Sequence, residues 1–334
     1  MIKVAVVGVN NIGRHHVHYY KTHQDVQLVA VCDLDEHRAH TVASSYHVQA
    51  YTDLEDLLNN HDIDVVSIAT GGHENGSHHY EPAMIAIEHG KDVLVEKPLS
   101  NQIKETREMV RFAQKQGVRL ACNLNHRFVP TASRAKTLIE SGDLGTLLFL
   151  NMKLTIGNPN ESSPWVHLRA LHPHSIDVMR YFGGDIKRVQ SFMTKAPDRT
   201  VWSTASINFE FTSGAVGHLT GSYDMNNKHP IEYCEVAGHR GRFVIEDVYD
   251  NLTFYPHNSS ELTVMRNSVL QGMNGFNETI KNRLFHFITE IKHNVHPNDI
   301  AGSGQDALAS QEVIEAAIRS QMENNAVIDI KDMR

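Results

Sequence analysis

The first thirteen residues limit the fold most. An apolar run from Ile2 to Val7 passes directly into Gly8-Val9-Asn10-Asn11-Ile12-Gly13, and helical periodicity follows over residues 12–22. Strand, glycine-bearing turn and helix in that order open a parallel α/β sheet. The turn also has a chemical reading. A dinucleotide's pyrophosphate needs a backbone it can approach closely and a helix N-terminus with unpaired N–H groups. Gly8 and Gly13 are placed for the tight turn and for close helix–strand packing. Asn10 stands where the usual G-x-G-x-x-G has its middle glycine, and Asn tolerates left-handed backbone angles better than most residues.

The segments that follow extend the same pattern. Short apolar runs at residues 27–32, 65–69, 92–95 and 119–121 alternate with helical periodicity at 36–46, 80–88 and 102–116, and Gly90 and Gly117 sit where C-cap glycines belong. This predicts a doubly wound Rossmann sheet over residues 1–124. Asp33 follows the second strand, about 20 residues after Gly13. A carboxylate there accepts hydrogen bonds from ribose hydroxyls and repels a phosphate, which favours NAD over NADP. The alternative is that Asp33 only caps the helix starting near Glu36.

After Asn125 the texture changes. Alternating segments at 148–155, 205–211, 216–223, 231–237, 242–245 and 251–255 predict a mostly antiparallel, open-faced sheet over residues 125–334, an α+β domain. Helices are expected near 173–182, 276–292 and 305–322. A chain of 334 residues accommodates two such domains. Its formal charge of -8, with Lys and Arg scattered, argues against a nucleic-acid surface. No apolar run approaches the ~20 residues of a membrane span, so small molecules are the expected partners. Cys32, Cys122 and Cys234 are too widely spaced for a disulfide framework or a zinc knuckle and fit a reducing cytoplasm. Among the 23 histidines, His15/His16 and His78/His79 are adjacent and diverge on a helix, and no further ligand set accompanies them or His172/His174, so no metal site is expected.

Glu96-Lys97-Pro98 ends a predicted strand on the side where open α/β sheets place ligands. A lysine there can hold a substrate hydroxyl, and burial makes its pKa movable. Taken with the Gly8 to Gly13 loop, Asp33, Asn125-His126-Arg127-Phe128 with Pro130, and His174-Ser175-Ile176-Asp177, the chain resembles the glucose-fructose oxidoreductase, inositol dehydrogenase and rhizopine catabolism (Gfo/Idh/MocA) family over essentially its whole length. The resemblance implies an NAD(P)-binding domain, a substrate-binding sheet domain through which dimers or tetramers form, and reversible oxidation of a sugar or cyclitol hydroxyl. It makes Lys97 and His174 the catalytic pair: the imidazole takes the hydroxyl proton, and the lysine orients the oxygen. Gly8, Asn10, Asn11, Ile12, Gly13, Asp33, Thr70, Gly71, His79, Glu96 and Lys97 are the expected cofactor residues. Asn125, Arg127, Trp165, Arg169, His172 and Asp177 are the candidates for the substrate.

The chain also departs from that family. An Asp is usual four residues before the histidine, and here Ala170 stands there; His172 replaces a usual glycine. His172 or Arg169 can fill the missing role, or the substrate can be anionic, which Arg169 with His172 would suit. The loop from Thr70 to His79 differs from the usual Thr-Pro-Asn; it either approaches the nicotinamide ribose or is a plain turn. Trp165 either covers the cleft or belongs to packing. Two further functional classes stay open: a redox glycosidase that oxidises, eliminates, hydrates and reduces on a retained NAD, and a cofactor-binding regulator without turnover.

Overall fold

The computed structural model of the protein describes residues 1–226, 231–247, 250–266 and 272–333. It divides into two compact units, residues 1–124 with 280–308, and residues 125–279 with 309–334.

The first unit runs β1 (Ile2–Val7), α1 (Asn11–Thr22), β2 (Val26–Cys32), α2 (Glu36–Tyr46), β3 (Gln49–Tyr51), α3 (Leu54–Asn60), β4 (Val65–Ile68), α4 (Tyr80–Glu88), β5 (Asp92–Val95), α5 (Ile103–Gln116) and β6 (Leu120–Cys122). The strands form one sheet in the order β3-β2-β1-β4-β5-β6, and every pair is parallel. The central strands read as unbroken apolar runs because helices cover both faces; Val4, Ala5, Val6, Val65, Val66 and Ile68 are fully buried. Strand order reverses between β1 and β4, so the ends of those two strands flank the crevice where such sheets bind ligands. Gly117 caps α5 at φ 69°, its amide reaching the Ala113 and Gln114 carbonyls, as its position in the sequence predicts.

The second unit opens with a 3-10 turn at Asn125–Phe128 and α6 (Pro130–Glu140). Strands β7 (Leu147–Thr155), β8 (Ile186–Thr194), β9 (Thr204–Phe211), β10 (Val216–Ser222), β11 (Glu232–Gly238), β12 (Gly241–Glu246), β13 (Asn251–Pro256), β14 (Thr263–Arg266) and β15 (Ile328–Asp329) form a second sheet, with α7 (Val166–Gly183) between β7 and β8. Helices α8 (Gly272–Lys292) and α9 (Gly304–Met322) precede β15. The sheet order is β14-β13-β12-β11-β7-β10-β9-β8-β15. Among the described strands of this sheet only β7 and β10 pair in parallel; the sheet is mixed and mostly antiparallel, in keeping with the alternating sequence pattern. Leu150 and Met152 of β7, and Ile207, Phe209 and Phe211 of β9, point into one core with α6, α7 and α9. The opposite face stays half open. Helix α7 begins at Val166, about two turns before the segment expected from sequence, and carries Pro173 in its interior.

Candidate active site

Gly8 follows β1 at φ +81°, and a Cβ there would lie 2.6 Å from the Thr70 amide nitrogen. Only glycine lets the ends of β1 and β4 come this close. A Cβ on Gly13 would stand 1.8 Å from the Gly8 carbonyl oxygen, so α1 packs on its own entry loop. Asn10 is the N-cap of α1 at φ -86° and ψ -173°, which corrects the left-handed rationale given for it: the position is extended and needs no positive φ. With no acid in the first turn of α1, its N-terminus keeps its positive end for an anion. This is a backbone cradle into which a pyrophosphate fits.

Asp33 ends the β2 connection, buried, and accepts from the Val9 amide at 2.9 Å and the Asp35 amide at 3.0 Å. The capping role falls to Asp35, whose side chain accepts from the Arg38 amide. Arg38 Nη1 reaches both Asp33 oxygens, at 3.0 and 3.2 Å. Asp33 therefore ties the glycine loop to the start of α2.

Glu96 and Lys97 follow β5. Glu96 Oε1 meets His16 Nε2 at 3.1 Å and accepts from Asn123 Nδ2, while His16 Nδ1 lies 2.9 Å from Ser67 Oγ. Burial alone would raise the Glu96 pKa; the His16 hydrogen bond and charge, Asn123 and the Lys97 charge outweigh it, and the carboxyl is held below its usual range. Lys97 retains some exposed surface, yet desolvation lowers its pKa, against the pull of Glu96. His79 is buried with Nδ1 2.7 Å from the Pro98 carbonyl and Nε2 2.7 Å from the Thr70 carbonyl. It clamps the 70–79 loop to the segment after Lys97. Burial lowers its pKa, and a neutral ring can donate to only one of the two carbonyls. Gly71 has open space around it. His16, Ser67 and Asn123 were not legible as site residues; the only signal for His16 was its place on the buried stripe of α1.

In the second unit, the 3-10 turn and α7 hold the other candidates. Arg127 donates through Nε to Asp177 Oδ2 at 2.7 Å and through Nη2 to Oδ1, a buried bidentate pair. Asn125 Nδ2 donates to Thr279 Oγ1. Arg169 is bidentate with Glu315, at 2.7 and 2.9 Å, so its charge is already balanced. His172 is buried, its ring nitrogens 3.0 Å from Ser175 Oγ and 3.0 Å from His167 Nε2. Trp165 precedes α7, packs against the core and stacks on Trp202. Ala170 lies in an apolar cluster with Leu154, Val166, Leu171, Val201 and Tyr223. His174 is nearly buried, and the ring of His126 lies flat on it at 4.1 Å between centroids. In the sequence His126 stood only within the Asn125–Phe128 motif, without a role of its own, and its neighbour Glu232 was not singled out.

No helix among the described residues is long and apolar enough to cross a membrane. Residues 2–124 match the family model described as oxidoreductase family, NAD-binding Rossmann fold, and residues 132–244 match the GFO/IDH/MocA C-terminal domain. An uncharacterized oxidoreductase of Synechocystis sp. is 30% identical over 283 residues, 77% of this chain and 74% of that one. Inositol 2-dehydrogenase of Salmonella typhimurium is 28% identical over 250 residues, 72% of each. An oxidoreductase from Agrobacterium radiobacter, solved with NAD+, L-tartaric acid and magnesium, shares the fold at a TM-score of 0.86 and 20% identity, over 100% of this chain and 99% of that one.

Proposed function

The chain belongs to the Gfo/Idh/MocA family of NAD-binding oxidoreductases, and from that premise we propose that it oxidises a hydroxyl carbon of a sugar, sugar derivative or cyclitol. The Gly8 to Gly13 loop and the start of α1 would hold the pyrophosphate, Asp33 the adenosine ribose, and Thr70 with Gly71 the nicotinamide ribose. NAD, when bound, supplies the hydride acceptor. Lys97 hydrogen-bonds the substrate hydroxyl oxygen and steadies the negative charge that grows on it, and His174 takes the proton. The observation that carries this reading is Lys97, a desolvated ammonium beside a carboxylate that His16 and Asn123 keep ionised. A lysine so placed is a strong hydrogen-bond donor whose proton can be drawn off.

The reading extends to assembly and location. Phe192 and Val216 lie about half exposed on the open face of the second sheet, which accords with a homodimer or homotetramer. Three buried free thiols accord with the cytoplasm.

A panel of free sugars, cyclitols, sugar acids and aryl glycosides, followed for both NADH absorbance and aglycone release, tests the proposal. NADH should accumulate with at least one free polyol or sugar, and Lys97→Ala and His174→Ala should each slow this at least ~100-fold with NAD binding nearly intact. Aglycone release without NADH would replace the dehydrogenase by a redox glycosidase. Near-normal turnover in both variants would remove the two residues from the mechanism.

A further inference from the structure

An imidazole that takes a proton must hold its ring plane toward the substrate, because the lone pair of its unprotonated nitrogen lies in that plane. The family resemblance implies an acid four residues before the histidine for this, and here Ala170 sits among apolar side chains instead. The second unit supplies a different constraint. The ring planes of His126 and His174 are 7° apart at a centroid distance of 4.1 Å, and each residue is 7% exposed. Contact through a face leaves untouched the in-plane lone pair that proton transfer uses.

His126 is itself held from two sides. Glu232, 4% exposed at the start of β11, brings Oε2 to 3.1 Å from His126 Nδ1. The two atoms meet as a close polar contact, and neither has a hydrogen bond among the described residues. Glu232 does not drift, since its amide donates to Asp247 Oδ1 at 3.0 Å and its carbonyl accepts from the Asp247 amide at 2.9 Å. The flanking residues anchor the backbone of His126: Asn125 donates to Thr279, and Arg127 to Asp177, one turn beyond His174 on α7.

We propose that Glu232 and His126 are positioning residues for His174. The carboxylate sets the His126 ring, and that ring, flat against His174, sets the plane of the base where the family resemblance implies an acid and this chain has Ala170. The proposal rests on the dehydrogenase reading, and its test separates the two.

In protein carrying ring-labelled histidine, the His174 ring protons, assigned through His174→Gln, should resonate upfield because of the His126 ring current. They should move downfield in His126→Ala and stay upfield in His126→Phe, which keeps a flat ring. With a polyol that the wild type oxidises, His126→Ala should lower kcat roughly 10- to 100-fold, the range expected for misplaced catalytic groups, with the Kd for NAD and the Tm little changed. His126→Phe should restore most of it. Glu232→Gln should lower kcat in the wild-type background and do nothing in the His126→Phe background, where there is no imidazole to set. Unchanged kcat in His126→Ala, equal losses in His126→Ala and His126→Phe, or a Glu232→Gln effect that persists in the His126→Phe background would each overturn the proposal. A wild type with the upfield resonances that oxidises nothing in the panel would overturn the dehydrogenase reading, and the catalytic use of the stack with it.

Discussion

Asp33 already accepts more hydrogen bonds than a ribose would leave room for. A carboxylate has about four acceptor sites; the Val9 and Asp35 amides take two, and Arg38 Nη1 spans both oxygens. Ribose hydroxyls can enter only as Arg38 gives way, and its side chain is one-third exposed and also tied to Asp35. Removing the carboxylate should therefore act in opposite senses on the two dinucleotides. Asp33→Ala should weaken NAD roughly 10- to 100-fold, the loss of hydrogen bonds to a charged group. The same change frees Arg38 to meet a 2′-phosphate, so NADP should lose less or gain. Titration calorimetry with both dinucleotides checks this; equal losses would reduce Asp33 to an anchor of the Val9 loop. The tight turn at Gly8 and the close packing at Gly13 were legible because their spacing along the chain is short and the backbone geometry demands it. His16 with Glu96, and His126 with Glu232, meet across long stretches of sequence, and no local pattern encodes such pairs.

At the scale of elements, legibility followed alternation. Strands β7 and β9 show a two-residue period and were placed within a residue or two. Strand β8 was not, because Lys187 and Arg188 are consecutive exposed residues and its register with β9 shifts between Ile186 and Arg188. Helix α7 was shortened because Pro173 reads as a helix start, whereas the helix tolerates it inside and forgoes one amide. That helix buries two histidines against each other. Burial draws the His167 pKa down to about 4, with the Trp202 backbone and the Asp224 charge opposing. His172 falls well below its usual value through burial and the His167 charge. Both are neutral in the fold, while the unfolded chain binds protons below pH ~6.5. Their contribution to stability is complete above that pH and shrinks as pH falls toward 4. For His167 alone the loss across that window is on the order of 3 kcal/mol. Urea midpoints at pH 7.5 and 5 should show a marked drop in the wild type and a shallower one in His167→Gln; parallel slopes would place the acid sensitivity elsewhere.

At the scale of the molecule, helical periodicity announced the closing helices without saying what they pack on. The compact first unit takes residues 280–308 from far along the chain. Arg283, fully buried on α8, donates to the Cys122 carbonyl at 3.0 Å and the Gly302 carbonyl at 3.3 Å. The Cys122 amide in turn donates to the Gly302 carbonyl, Ala121 and Ser303 form an antiparallel bridge, and Arg119 reaches the Val295 carbonyl at 2.7 Å. Strand β6 is the edge of the first sheet, and residues 302–303 cover that edge, which would be bare without residues 280–308. An unpaired apolar edge of this kind is an aggregation site, and a domain has only about 5–15 kcal/mol of net stability to lose. A fragment of residues 1–124 should accordingly melt without a cooperative transition or precipitate, although it spans the whole parallel sheet. The same fragment joined by a flexible linker to residues 280–308 should melt cooperatively and bind NAD. Equal melting of the two fragments would show that the returning segment only decorates the sheet, and Arg283→Met in the full chain should then leave the Tm unchanged instead of lowering it by several degrees.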